Sequence, residues 1–163
     1  MSQDDRSRPG LLRRLLRLAL TLGVFALVGT LAMALWSRRA VEVGLADGAL
    51  RPCAVPTNCV CSQGAEAAIE PLPLVGGAAG AIERVRRLVD GMEGAEWVSA
   101  DERYAHVVFA TPLLGFRDDV EFLVDEDAGV VHVRSASRVG RSDLGANAAR
   151  VGELRAAWDA LAD

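Results

Sequence analysis

The 163-residue chain sets eighteen basic residues, all arginine, against twenty-two carboxylates, for a net charge of −4. The charge is unevenly placed: residues 1–39 hold seven arginines and two aspartates, net +5, and residues 40–163 hold eleven arginines and twenty carboxylates, net −9. An acidic body argues against a nucleic-acid partner, because phosphate binding needs a basic footprint that releases counterions, and with the apolar N-terminal segment set aside the ~120 remaining residues suffice for one core, not two.

The absence of lysine, beside abundant Ala, Gly and Val, is a compositional bias, so arginine position carries more information than arginine number. Residues 1–17 form a basic tail, with Pro9 and Gly10 suggesting no regular structure before the apolar run. Leu18 to Trp36, "LALTLGVFALVGTLAMALW", is nineteen residues without a charge, enough helix to match a ~30 Å hydrocarbon layer. Five arginines between Arg6 and Arg17 precede it, so the positive-inside bias puts the N-terminus in the cytoplasm. The expected arrangement is a single-pass anchor in a bacterial inner membrane, with the acidic body facing the periplasm or the cell exterior. A cleaved signal is the rival reading, since Ala32-Met33-Ala34 has small-x-small spacing, but nineteen apolar residues exceed the usual 7 to 15 of a signal. Trp36 suits an interfacial position.

Residues 37–65 read as a linker containing a cysteine loop, "RPCAVPTNCVCSQG". Export makes a disulfide plausible: Cys53 with Cys59 closes a loop around Pro56, whereas Cys59 and Cys61 are too close for easy closure. The alternative is a metal site with three soft thiolates. Its difficulty is that His106 and His132 fall far along the chain, and structural zinc usually shows paired C-x2-4-C spacing.

An α+β domain is expected over residues 66–163. Glu66 to Leu74 alternates weakly and contains Pro71 and Pro73, which suits an edge strand. "GGAAG" at 76–80 lacks the phosphate-loop spacing and reads as an entry to a helix over Ala79 to Met92, with Ile82, Val85, Leu88 and Met92 on one face and Gly94 as its terminator. Four strands follow, at Glu96–Ala100, Tyr104–Thr111, Arg117–Val124 and Val130–Ser137, joined by short turns that make neighbours antiparallel. A closing helix would be capped by Asn147 and carry Val151, Leu154, Trp158 and Leu161 as its stripe. The element order, strand, helix, four strands, helix, is similar to that of the TATA-box-binding protein unit and the helix-grip lipid binders, with the second face of the sheet less covered.

The polar stretch "RSASRVGRSDLGAN" begins at the end of the last strand. A hairpin through residues 125–129 sets it beside "RDDVEF", carboxylates facing guanidiniums. If Val124 faces Val130, then Val120 faces Arg134; one residue of slip sets Glu121 against Arg134 and Leu123 against His132, and every facing reverses. Three uses compete for this cluster. In a structural clasp the arginines bind the aspartates while Ser142, Asp143 and Asn147 satisfy amides at the turn. In a binding site Arg134 and Arg138 contact an anionic small ligand or an envelope protein, with Asp118, Asp119, Asp143 and Asn147 orienting them. In a catalytic site Asp118 and Asp119 act as acid and base, which adjacent strand residues on opposite faces oppose.

"PCAVPTNCV", "FRDDVEF" and "VRSASRVGRSDLGAN" together resemble the family catalogued as domain of unknown function 1499, over about Leu50 to Leu161. The resemblance implies an envelope or lumenal protein with a preceding signal or anchor, and it leaves Cys53 and Cys59 as the pair, since the family carries serine in place of Cys61. It also has a basic residue where this chain has Ala148. No activity, cofactor or metal comes with it. The expectation is an anchored, extracytoplasmic binding or envelope-assembly module with no cofactor; the alternative is a metal-independent hydrolase of an envelope component.

Overall fold

The computed structural model describes residues 8–39, 41–65 and 67–161. Helix α1 runs from Arg8 to Ser37, longer than the apolar run and taking in Pro9 and Gly10. A proline in the first helical turn lacks only an N–H that would have no partner there, so Pro9 is compatible with the helix start. Residues 10–37 are long and apolar enough to cross a membrane. The hydroxyls of Thr21 and Thr30 donate to the carbonyls of Leu18 and Ala26, so neither is left unpaired along the span.

After α1, a small hairpin of β1 (Leu45–Ala46) and β2 (Ala49–Leu50) precedes the cysteine loop. The stretch expected to be a linker then contributes β3 (Cys59–Cys61) to the main sheet. The expected Glu66–Leu74 strand is reduced to β4 (Leu72–Pro73), and Glu66 lies outside the described residues. Helix α2 (Gly77–Asp90) is followed by β5 (Ala95–Ala100), β6 (Tyr104–Ala110), β7 (Arg117–Asp125) and β8 (Val130–Ser137), and α3 (Ala146–Ala160) closes the fold. Strand β3 pairs with β8, which pairs with β7, then β6, then β5, and every pairing is antiparallel. Strand β4 joins the same edge of β8 as β3, further along. Ser62 carries the ladder on from β3, its N–H donating to Val133 and its hydroxyl accepting from the Val133 N–H.

Side-chain alternation divides the sheet into two faces. Val107, Val120, Phe122, Val124, Val131 and Val133 point to one of them and pack with Val85 and Leu88 of α2 and Val151, Leu154 and Trp158 of α3. Arg84 of α2 is buried: its guanidinium stacks 4.8 Å above the Trp158 ring and donates to the Trp158 carbonyl. Helix α2 stops at Asp90, earlier than expected, with Gly91 at its C-cap. Gly94 instead begins the approach to β5 at φ +76°, where an added Cβ would lie 2.5 Å from the Ala110 carbonyl oxygen. Leu161 falls beyond α3 and is exposed rather than part of its stripe.

Candidate functional site: a polar ladder on the second face of the sheet

The register is the slipped one: Glu121 lies opposite Arg134 and Leu123 opposite His132. That choice sends Asp119, Glu121, Arg134 and Arg138 to the face away from the helices, and it splits the cluster expected at one end of the sheet into three groups.

The first group centres on Asp119. Arg138 binds this carboxylate with both arms of its fork, Nε to Oδ2 at 2.8 Å and Nη2 to Oδ1 at 2.7 Å, and His106 Nε2 meets Oδ1 at 2.7 Å. Burial raises the carboxyl pKa, but the hydrogen bonds from His106 and Arg138 and the arginine charge outweigh it, so Asp119 stays below the ordinary carboxylate range. The same contact, reinforced by the surrounding negative charge, raises Arg138. Arg138 has a second engagement at its remaining nitrogen. Nη1 donates to the carbonyls of Ser37 (3.3 Å) and Arg39 (3.1 Å), at the C-terminal end of α1. Ser37 is fully buried there, its hydroxyl donating to the Ala34 carbonyl and accepting from the Arg117 N–H.

The second group surrounds Glu121, which has no exposed surface. Its Oε2 takes a 2.6 Å bond from Arg134, and its Oε1 takes bonds of 2.7 Å from both the Tyr104 hydroxyl and the Gly44 N–H. Burial, and then the hydrogen bond to Glu121, push the Tyr104 phenol well above its ordinary value. Arg134 Nε is buried without a partner. Beyond Glu121 the face turns apolar, where Leu123 packs with Leu50, Tyr104, Cys61 and Cys53. The Cys53–Cys59 disulfide is formed, with the two Cα atoms 5.6 Å apart. Two of the three thiols are therefore spent, and the alternative three-thiolate site does not form. Cys61 is free and buried, and burial pushes its thiol up.

The third group lies on the helix side. Asp118 accepts a 2.7 Å bond from Arg150, whose other nitrogen reaches the side-chain oxygen of Asn147 at 3.0 Å. Asn147 is fully buried and saturated: it accepts from Ser135 and donates to the Asn58 carbonyl, Ser137 and Asp143. It is the second residue of α3, not its cap. Asp143 performs that service, accepting the N–H groups of Gly145 and Asn147. These bonds hold its carboxyl below the ordinary range although burial acts the other way. Asp118 and Asp119 thus occupy opposite faces and share no reacting position.

The sequence assigns no role to Tyr104, Gly44 or Ser37; Glu121 enters it as a partner of Arg134 in one register, and His106 only as a remote histidine. Period-two alternation could have found Tyr104 and His106, which lie on one face of β6 beside the acidic face of β7. No sequence signal marks Gly44, which contributes a backbone N–H.

A family model for proteins of unknown function, DUF1499, matches residues 49–158, and the chain belongs to that family. No curated protein and no solved structure matches it.

Proposed function

From membership of this family, whose matched region follows the apolar helix and its junction, we propose that the protein is a single-pass anchored, non-enzymatic binding or assembly module displayed outside the cytoplasm. Its arginine-rich motif would lock the domain to its own anchor. The observation that carries this reading is the double engagement of Arg138, which with one guanidinium grips Asp119 inside the sheet and the carbonyls of Ser37, the last residue of α1, and Arg39, just beyond it. The C-terminal end of a helix carries partial negative charge on its unpaired carbonyls, so an arginine there is favoured twice over. The disulfide supports an oxidising compartment. Arg134 and Asp118 extend the clasp across the two faces. An anionic or protein partner would meet the outer surface of the module.

Two measurements test this. In sealed cells added protease should reach the domain only after the outer barrier is opened, and a domain still protected in spheroplasts overturns the topology. The clasp is probed by trypsin, which cuts after Arg38 and Arg39. Arg138→Ala in nanodiscs should keep its near-ultraviolet circular dichroism yet be cut at that junction several-fold faster than the parent. An unchanged cutting rate would mean that Arg138 does not hold the anchor.

A further inference from the structure

We propose that the end of the domain next to α1 dips into the extracytoplasmic leaflet, with Leu113 and Leu144 seated among the lipids on a basic collar. The inference rests on α1 being a membrane anchor.

Topology places the surface. Strand β6 ends at Ala110, β7 begins at Arg117 and β8 ends at Ser137, so the loops 111–116 and 138–145 leave the sheet at the same end. That is also where α1 arrives, as the bonds of Ser37 to Arg117 and Arg138 show. Depth then follows from helix geometry. Val139 and Gly140 line a cleft with Ala32, Met33 and Trp36. Ala32 lies five residues before Ser37, about 7–8 Å down the axis at ~1.5 Å per residue, and within the uncharged run that ends at Trp36. A loop that faces Ala32 and Met33 across a shared cleft lies at the level of the lipid around the helix.

The loop tips have the chemistry for that level. Leu113 is 91% exposed and Leu144 97% exposed, more than any leucine of the apolar helix itself. Leu144 sits at φ +56°, a left-handed conformation that L side chains other than Asn and Asp seldom adopt. The loop that presents it is braced from both sides. Asn58 Nδ2 donates to the Gly140 carbonyl at 2.6 Å, the Thr57 hydroxyl donates to the Arg141 carbonyl, and Ser142 and Asp143 accept the next N–H groups. An apolar side chain held outward on a stiff support is suited to insertion. Arg38, Arg39 and Arg141 are exposed at this end, with Arg39 stacked on Trp36 at 4.3 Å. This collar suits anionic headgroups and sits on an otherwise acidic body. The bilayer is the occupant because the surface is continuous with the membrane helix.

The test uses the full chain in nanodiscs of phosphatidylethanolamine and phosphatidylglycerol, in a Cys61→Ala background, with one nitroxide per molecule verified by mass. Labels on Leu113→Cys and Leu144→Cys are compared with Val28→Cys inside the anchor and Glu102→Cys at the far hairpin. Collision rates are measured with oxygen, which concentrates in hydrocarbon, and with a water-soluble nickel chelate. Labels at 113 and 144 should show an oxygen-to-nickel ratio several-fold above that at 102 and approaching that at 28. If 113 and 144 match 102 while 28 remains in lipid, the anchor stands and the dipping surface is overturned. If both are shielded from both reagents, a protein partner or a second copy covers them and the lipid assignment fails. A nickel-accessible label at 28 removes the anchor and the inference together.

Discussion

The two faces of the sheet solve burial in opposite ways. Against α2 and α3, the strands present Val107, Val120, Phe122 and Val133 to apolar stripes, and the core closes mainly by packing, with Asp118, Ser135 and Asn147 as a polar group at its edge. On the other face the cover over Asp119 and Glu121 is the junction after α1 and the segment around Gly44, which offers them backbone N–H and C=O groups, and only Leu123 beyond them meets apolar side chains. Polar backbone needs polar partners, and the sheet supplies them as Asp119 with Arg138, just past the end of β8, and Glu121 with Arg134 of β8, each carboxylate also meeting a ring from β6. Buried ion pairs of this kind contribute little net stability, because desolvation offsets attraction, but they penalise every other arrangement. A one-residue slip of β7 would turn Glu121 toward Leu154 and Trp158. The apolar face thus supplies stability, and the polar face favours one register and meets the C-terminal end of α1.

The sharpest way to break this comparison is at Glu121. Glu121→Leu leaves Arg134 buried without its carboxylate and strips a partner from Tyr104, and should cost about 3–5 kcal/mol. Adding Arg134→Met should return most of that loss, since removing both charges removes the desolvation they required. The apolar counterpart, Phe122→Ala, should cost a similar ~3–5 kcal/mol by leaving a cavity, and its cost should be independent of pH. Denaturant unfolding of the full chain in nanodiscs measures all three. A double variant no more stable than Glu121→Leu alone would show that the ladder stabilises in its own right.

A smaller effect follows from pH. Asp119 has a folded pKa below its unfolded value, so its contribution is fully present above about pH 4 and is lost as the pH falls through the folded value. The melting temperature of the parent should therefore fall as the pH drops below about 4, and the Asp119→Asn variant should be less stable at neutrality with a shallower acid slope. Phe122→Ala should keep the parental slope. Equal slopes in parent and Asp119→Asn would assign the acid sensitivity to other carboxylates, Asp143 first, since its pKa is also lowered.

How much of this was legible in the sequence differs between the faces as well. The helix-side core could be read, because Val85, Leu88, Leu154 and Trp158 repeat at helical spacing and β6 to β8 are bounded by clear turns. The turn through residues 125–129 leaves the register open, and only the alternation of Val120, Phe122 and Val124 with Asp119 and Glu121, matched by Val131 and Val133 with His132 and Arg134, favours the pairing found. Strand β3 was hidden because three residues of "CVC" between prolines and polar turns carry no periodicity. Arg138 is visible as a candidate, yet its partners at and just past the end of α1 are backbone carbonyls about a hundred positions away, and main-chain atoms leave no mark in a sequence.

The smallest expected effect separates the helix-side polar group from the ladder. Asp143 holds the N–H groups of Gly145 and Asn147 where α3 begins, and it touches Asn147 but neither Arg134 nor Arg138. Loss of a side chain that accepts from the first turn of a helix costs about 0.5–2 kcal/mol. Asp143→Ala should therefore lower stability by that amount and speed hydrogen exchange at the start of α3. Because the ladder lies on the opposite face and shares no partner with Asp143, combining Asp143→Ala with Glu121→Leu should give nearly additive losses. Strong coupling between them would mean that the two faces act as one network through β7, and the division of labour between packing and pairing would have to be redrawn there.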